Sequence, residues 1–305
     1  MKILNVLRRA TLPVILAAAL LTSASRAQQA YPSPEQAASA LATAVKSGQR
    51  RQFLKILGHD ALDIIESGDE VADAEMRRRF LAAYDASHSI KVEGNKKATI
   101  ILGTEDFPFP IPLVNNKDGW EFDTDKGRVE ILYRRIGRNE LDAIQTCLAF
   151  VDAQNEYADK DRGDGVGVYA QRIVSSPGKK DGLFWRDERE PSPLGELAAR
   201  ASAEGYALGE KQVPYHGYYF RILKGQGEEA PGGAVYYVVR GKMIGGFALI
   251  AYPAEYGNSG VMTFMVSHAG IVYQKDLGTR TEVVAERMRR FSPDQTWKKV
   301  DATQR

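Results

Sequence analysis

The side chains of this sequence that could carry out chemistry are few and lie far apart. Asp85 and His88 stand one helical turn apart, which is the spacing of an acid/base pair and equally of an exposed ion pair near a helix end. His216 lies within the aromatic run of residues 215–219, which predicts either the core of a sheet or the wall of a ligand-binding groove. We assign no catalytic residue, and the candidate ligand-binding residues are His216, Tyr215, Tyr218 and Tyr219.

A second candidate site is the loop of residues 159–165, which follows a predicted helix. Its carboxylates Asp159, Asp161 and Asp164 stand on a glycine-bent turn and offer the hard oxygen ligands that calcium takes in proteins. The loop departs from the EF-hand pattern, because Gly163 stands where a third alternating acid belongs and no Glu closes the loop. The alternative is a solvated turn that ends the helix. Calcium is therefore the one possible cofactor, bound by these three aspartates.

Motifs of several large enzyme and cofactor classes are missing. The sequence has no HExxH, no paired Cys motif, no Walker A loop and no Gly-x-Ser-x-Gly elbow. The glycines of residues 163–167 follow a helix and lack the six-residue dinucleotide pattern. The single cysteine, Cys147, excludes an intramolecular disulfide, and its place on an apolar helix face predicts a small core residue. The four histidines are dispersed, so none stands at metal-ligand spacing from another.

Residues 1–27 are predicted to be a secretory signal peptide. Lys2, Arg8 and Arg9 precede the apolar run 12–21, and Ser25-Arg26-Ala27 is a small-x-small cleavage pattern. An apolar run of about 10 to 12 residues is shorter than the roughly 20 residues that a membrane-spanning helix needs. We expect a periplasmic or secreted protein with no transmembrane segment after cleavage.

The charge of the chain argues against nucleic acid as a partner. The formal net charge of the whole sequence is +2, and removing the four basic residues of 1–27 brings it to −2. A mature protein near neutrality lacks the basic surface that nucleic-acid binding needs. The expected partner is instead an unknown protein or polymer of the cell envelope.

Residues 28–136 are predicted to form an N-terminal α+β domain. Ser33-Pro34-Glu35 is a helix start, and apolar residues recur at helical spacing until Gly48. Two more helices, near residues 53–57 and 72–84, precede strands at 98–102, 113–114 and 120–122. Helices followed by a small antiparallel sheet form an α+β layer, and a cavity-bearing fold of the nuclear-transport-factor type fits this order.

Residues 137–291 are predicted to be a long helix packed on an antiparallel sheet, followed by a C-terminal tail at 292–305. The helix starts at Arg138, and its apolar face carries Leu141, Ile144, Leu148, Val151 and Ala158. The densest strand signal lies at 245–278, which predicts strands at 247–252, 261–266 and 271–275. Upstream, Arg240-Gly241 predicts a tight hairpin. The whole chain is therefore of the α+β class.

Several runs of residues carry a resemblance to a known family: 138–145, 169–171, 176–179, 215–219, 245–248, 256–257, 260–264 and 273–278. They resemble the bacterial domain-of-unknown-function family 2950 across nearly the whole mature chain. This resemblance implies export and supplies no activity. A weaker similarity to the first helix of soluble pilin-like domains is carried by Asn139-Glu140, Ala143-Ile144, Leu148, Ala153-Gln154 and Tyr157, although that helix begins here after about a hundred mature residues.

Two classes of function stay open. The first is a noncatalytic exported protein that binds another component of the cell envelope through its sheet or its aromatic strand. The alternative is a cavity-bearing hydrolase or isomerase that uses the N-terminal domain, with Asp85 and His88 as its acid/base pair. A pocket that encloses both side chains would favour the enzyme, whereas their exposure would favour the binding protein.

Overall fold

The computed structural model describes residues 28–187, 189–207 and 213–300. The predicted signal peptide, residues 1–27, lies outside the described residues. The helices are α1 Pro34–Ser47, α2 Arg50–Leu57, α3 Leu62–Ile65, α4 Glu70–Ala86, α5 Thr124–Ala158, α6 Gly195–Glu204 and α7 Thr281–Arg287, with a 3₁₀ turn at Gly278–Arg280. The strands are β1 His88–Glu93, β2 Lys97–Leu102, β3 Phe107–Pro108, β4 Leu113–Asn116, β5 Gly119–Phe122, β6 Tyr218–Leu223, β7 Gly225–Gln226, β8 Val235–Tyr236, β9 Val238–Val239, β10 Lys242–Met243, β11 Ala248–Pro253, β12 Met262–Ser267, β13 Val272–Asp276 and β14 Lys298–Lys299. Helices and antiparallel sheets together confirm the predicted α+β class.

The N-terminal half packs α1–α4 against an antiparallel sheet of order β1-β2-β4-β5, with β3 paired to β2. Helix α1 has the predicted ends, because the Ser33 side chain accepts a hydrogen bond from the Gln36 amide and Gly48 adopts the left-handed conformation. The core of this half contains Leu41, Ile100 and Phe122. Strand β1 is not among the predicted strands; its residues are almost all exposed, and only Ile90 and Val92 alternate with charged residues.

The C-terminal half contains an antiparallel sheet of order β14-β13-β12-β11-β6, which leaves β6 at one edge. The predicted strands at 247–252, 261–266 and 271–275 correspond to β11, β12 and β13. The predicted hairpin joins β9 to β10 through Arg240 and Gly241, which both have positive φ, as a tight two-residue turn requires. Every residue of β11 is buried, because α5 contacts this sheet from one side and α7 from the other. Part of the predicted tail also joins the sheet, since β14 pairs with β13.

Helix α5 differs from its prediction in where it begins. It runs unbroken from Thr124 to Ala158, whereas the sequence predicted a start at Arg138, and the Asp123 side chain caps its first turn. The first fourteen residues of the helix include two glycines, which have low helix propensity, and two of its apolar residues, Val129 and Tyr133, are exposed. Gly127 is needed there, because a Cβ would lie 2.6 Å from Cγ1 of Ile111. The helix therefore crosses the predicted boundary between residues 136 and 137.

The buried face of α5 also differs from its prediction. Val151 and Ala158 of the predicted face are buried, but Leu141 is 52% exposed and Leu148 is half-buried. The buried face also includes Cys147, Phe150 and Gln154. Gln154 is accommodated in the core because its amide donates to the carbonyl of Ala170 and accepts from the Ala170 amide. An apolar pattern does not predict a buried glutamine, so this residue of the buried face could not be found from the sequence. The placement of Cys147 in the core is confirmed.

Candidate ligand-binding cleft

An apolar cleft of about 460 Å³ lies between α5, α6 and the edge strand β6. This volume is within the range of roughly 300 to 1,000 Å³ that is typical of small-molecule sites. Residues 171–174 form one side of the cleft, and Phe184 contributes a further aromatic ring. The helices and β6 line it with Thr146, Phe150, Leu197, Ala198, Ala201 and Phe220.

The cleft arises from the pattern of side chains along β6 and α6. Successive side chains of a strand point to opposite faces, so Phe220 and Ile222 share the face that α5 covers. Ile222 lies opposite Leu249 of β11, which also lines the cleft. On α6 the cleft is lined by Leu197 and by the small residues Ala198 and Ala201, and the two alanines leave space that larger side chains would fill. Helix α6 therefore covers the edge strand β6 but leaves the space between them unfilled by its own side chains.

One end of the cleft is closed by a cluster of aromatic rings beside His216. Tyr206 and Tyr215 both line the cleft, and their ring centroids lie 4.9 Å apart. The His216 ring lies 4.2 Å from the Tyr215 ring and stacks on Tyr206. His216 itself has a positive φ of 48°, which is uncommon for a residue with a side chain.

The His216 ring bonds two carboxylates, and we call Asp142, His216 and Glu204 the His216 clamp. Nδ1 lies 2.6 Å from Oδ2 of Asp142 on α5, and Nε2 lies 2.8 Å from Oε2 of Glu204 on α6. Burial lowers the pKa of His216, but the hydrogen bonds and charges of the two carboxylates outweigh burial and raise the pKa above its ordinary value. The imidazole ring thus joins α5, α6 and the start of β6. When the ring is protonated, both nitrogens donate to these carboxylates, and the raised pKa widens the pH range over which the ring carries that charge.

Asp69 connects this cluster to the N-terminal half. Its carboxylate accepts a hydrogen bond of 2.8 Å from the Tyr206 hydroxyl and one of 2.9 Å from the Gly217 amide. Burial and then the charge of Asp69 raise the pKa of Tyr206, so this hydroxyl stays a donor. Gly217 must be glycine, because its φ is +73° and a Cβ would lie 2.6 Å from Nδ2 of Asn139. The N-terminal cap of α4 therefore also holds one end of the cleft.

A second polar junction between the two halves is centred on Arg135 of α5, which is 5% exposed. Its guanidinium donates to the carbonyls of Asp63 and Ile64 at 2.6 and 2.8 Å and to the side chain of Asn258. Asn258 in turn donates to the carbonyl of Glu66 at 3.0 Å. The two cores are thus joined by buried hydrogen bonds as well as by the helix itself.

The four residues predicted to bind ligand lie in three different environments. Tyr215 lines the cleft and His216 lies beside it. Tyr218 is fully buried and its hydroxyl donates to the carbonyl of Met262, so it is part of the core. Tyr219 points to the other face of the sheet, where it packs against Tyr252. The run of residues 215–219 therefore contributes both to the sheet core and to the lining of the cleft, and ligand binding by these four residues stays a prediction.

The three aspartates predicted to bind calcium are not brought together by the fold. Oδ1 of Asp161 accepts from the amides of Gly163 and Gly165, both at 2.8 Å, which lowers the pKa of Asp161 and closes the turn. Asp164 lies 3.7 Å from Nζ of Lys242. Within the described ranges, no group of three or more His, Cys, Asp or Glu side chains is arranged to hold a metal ion. Calcium binding by Asp159, Asp161 and Asp164 stays a prediction.

The predicted acid/base pair does not lie in a pocket. Asp85 and His88 are both exposed, and His88 begins β1 instead of lying on the helix. Nδ1 of His88 bonds the Tyr84 carbonyl at 2.9 Å, and its ring stacks on Tyr84. Cys147 offers no alternative nucleophile, because burial raises the pKa of its thiol to about 12. The arrangement predicted for the enzyme is therefore not present at these residues.

A smaller, polar cavity of about 280 Å³ adjoins the cleft. Gln171 and Arg172 line both spaces, so the two share a wall. The other groups of the polar cavity include Tyr157, Asp164, Asp181 and Lys224. Side by side, the two spaces form an apolar compartment with a charged one next to it.

The fold and the cleft define an α+β protein in which a long helix packs on an antiparallel sheet beside an open cleft. The family model described as "Protein of unknown function (DUF2950)" matches residues 28–300, and the chain belongs to this family. The resemblance to the family that the sequence predicted is thereby confirmed. Comparisons with curated proteins and with solved structures find no match. Across the part of the chain that the structure describes, no helix is both long and apolar enough to cross a membrane.

Proposed function

We propose that this protein is a noncatalytic binding module of the cell envelope, which takes a ligand with an apolar body into the cleft between α5, α6 and β6. The observation that carries the proposal is the cleft itself, an apolar space of about 460 Å³ at a sheet edge. Burying apolar surface is favourable by roughly 25 cal/mol per Å², so such a space stabilises an apolar guest. The polar groups next to it orient the ligand.

The chemistry around the cleft supports binding over catalysis. His216 is engaged through both ring nitrogens, and burial raises the pKa of the Tyr215 hydroxyl. An imidazole that bonds a carboxylate through each ring nitrogen is held in place and offers neither nitrogen to a ligand. The same locking keeps the cleft formed before the ligand arrives, which reduces the ordering cost of binding.

The test is a substitution that fills the cleft, paired with its neighbour on the opposite face of α6. Ala198 lines the cleft, whereas Ala199 is exposed. An environment-sensitive apolar dye such as 8-anilinonaphthalene-1-sulfonate should bind the folded wild-type protein with a blue-shifted emission. Ala198→Phe should abolish this saturable signal, and Ala199→Phe should retain it. Equal binding to both variants, or no saturable binding to the wild type, would refute the proposed function.

The cellular location is part of the proposal. Cleavage after Ala27 would leave a mature protein that starts at Gln28, which is also where the family match begins. N-terminal sequencing of the protein from the envelope fraction should therefore read from Gln28. An intact mass that includes Met1 would contradict export by this route.

The proposal uses the similarity of the second half to pilin-like domains only for the arrangement of a helix across an antiparallel sheet. Helix α5 contacts β11, β12 and β13 as a helix laid across an antiparallel sheet does. Its first half, however, belongs to the N-terminal half of the molecule, where Thr124 donates to the Leu57 carbonyl. We propose an interaction scaffold and not a filament subunit, because the part of the helix that a filament would bury is already engaged.

A further inference from the structure

Helix α6 is joined to the rest of the molecule by few contacts. Its buried side chains are the two alanines Ala198 and Ala201, and Leu197 is partly buried against the core. Among the residues that the structure describes, the polar side chains of α6 that reach other elements are Glu204 and Arg200, in the second half of the helix. Small side chains contribute little apolar burial. The C-terminal half of α6 is therefore held over the cleft mainly by these two polar side chains.

The His216 clamp links the C-terminal end of α6 to α5 through hydrogen bonds that need protons. An ionised carboxylate only accepts, so each ring nitrogen of His216 must donate for both bonds to form. A neutral imidazole has one N–H and turns a lone pair toward the other carboxylate, which breaks the link in either tautomer. We propose that α6 is a lid over the cleft and that the clamp is its latch, which is closed while the imidazole is protonated. In controlling the ligand of the cleft, the lid rests on the proposed function, whereas the movement of α6 does not.

Charged and titratable groups face the imidazole from the elements around it: Asp142 of α5, Glu204 and Arg200 of α6, the rings of Tyr206 and Tyr215, and Asp69 behind Tyr206. Carboxylic acids ordinarily titrate near pH 4 and arginine above pH 12. Burial raises the pKa of both tyrosine hydroxyls above their ordinary value of about 10. Between pH 6 and 9.5, the imidazole is therefore the group among them whose charge changes.

The latch is closed at the acidic end of this range. Burial lowers the pKa of His216, but the two carboxylates outweigh burial and raise the pKa, so the ring is mostly protonated at pH 6 and loses its proton as pH rises through the raised value. Release of α6 carries Leu197, Ala198 and Ala201 away from the side chains of β6 that line the cleft. The cleft is then open along its α6 side, and a bound ligand can leave.

The movement of α6 is measured by double electron–electron resonance between spin labels at two exposed positions, Ala199→Cys on α6 and Gln145→Cys on α5. The native Cys147 does not take up label, because it is buried and burial raises the pKa of its thiol to about 12. The distance distribution should be narrow at pH 6 and broader at pH 9.5. Glu204→Ala should give the broad distribution at both pH values, whereas Glu196→Ala, at the exposed first turn of α6, is the matched control and should respond as the wild type does. A wild-type distribution that is equally narrow at both pH values would overturn the lid.

The effect on the ligand is measured by the dissociation rate of bound 8-anilinonaphthalene-1-sulfonate in a stopped-flow instrument. The rate constant for the wild type should rise roughly fivefold between pH 6 and 9.5, which corresponds to about 1 kcal/mol for an exposed charged bond. Glu204→Ala should release the dye at the faster rate at both pH values, and Glu196→Ala should keep the pH dependence of the wild type. A dissociation rate that does not change with pH, although the distance does, would overturn the control of the ligand by the lid. No saturable dye binding, with a distance that still responds to pH, would refute the proposed function and support the movement of α6.

Discussion

The His216 clamp predicts a stability that depends on pH in a definite direction. His216→Asn removes the imidazole and retains a residue that tolerates the positive φ of 48° at this position. A hydrogen bond between charged groups contributes about 1.5 to 3 kcal/mol when buried, but the side chains of Asp142 and Glu204 are 37% and 36% exposed. Solvent screening brings each bond near the surface value of about 0.2 to 1 kcal/mol, so the clamp contributes about 1 kcal/mol in total. For a chain of this size that is a melting shift of roughly 2 to 4 °C.

The sign of the pH dependence follows from the raised pKa of His216. Its stabilisation is fully present below the unfolded pKa of about 6.5 and is lost as pH rises through the higher folded pKa. Differential scanning calorimetry should therefore show a larger deficit of His216→Asn relative to wild type at pH 6 than at pH 9.5. His88→Asn is the matched control, because the exposed His88 ring bonds only a backbone carbonyl. A deficit of equal size at both pH values would refute the charged clamp.

Three further predictions concern other parts of the molecule. Phe150→Ala should lower the free energy of unfolding, measured in urea, by about 3 to 5 kcal/mol, because Phe150 is 2% exposed and packs against Phe247. The control Gln145→Ala, at an exposed position of the same helix, should lower it by less than about 0.5 kcal/mol. Equal urea midpoints for the two variants would contradict the buried face of α5. Arg135→Met should cost roughly 3 kcal/mol or more in the same assay, because it leaves the carbonyls of Asp63 and Ile64 without their donor, and a neutral effect would show that water replaces the guanidinium. Calcium binding at residues 159–165 predicts that millimolar calcium raises the melting temperature over a chelator control, and that Asp161→Asn removes this rise.

Much of the fold could be predicted because its elements carry local signals. Ser33 and Gly48 define the ends of α1 through capping geometry that depends on these residues alone. The turn at Arg240-Gly241 and the apolar strands β11 and β12 are likewise determined by short stretches of sequence. The first half of α5 was missed for the converse reason. Apolar residues between 129 and 136 do recur at helical spacing, but glycines stand at 127 and 137. The contacts of Gly127 and Arg135 with distant segments, which hold this part of the helix, cannot be seen in the sequence.

The candidate site could be predicted only in part. Tyr215 and His216 were singled out because aromatic residues cluster there, but Asp142 lies 74 positions from His216 and Glu204 lies 12. From the sequence, Asp142 and Glu204 are expected to be solvated carboxylates on helix surfaces, and only the fold shows that both bond the His216 ring. The cleft itself has no sequence signature, because it results from small side chains, Ala198 and Ala201, that face a sheet edge. Only the packing of three separate elements reveals an unfilled space.

The course of α5 also determines how the protein responds to proteases. The chain passes from one core to the other inside a helix of about 52 Å, with Gly127 packed on Ile111 and Phe150 packed in the second core. Arg134 and Arg138 are exposed at the middle of that helix, yet a protease needs an extended backbone to cut beside them. Trypsin therefore gains access only after local unfolding that the buried Arg135 opposes. Limited digestion should nick loops elsewhere before it separates the two halves.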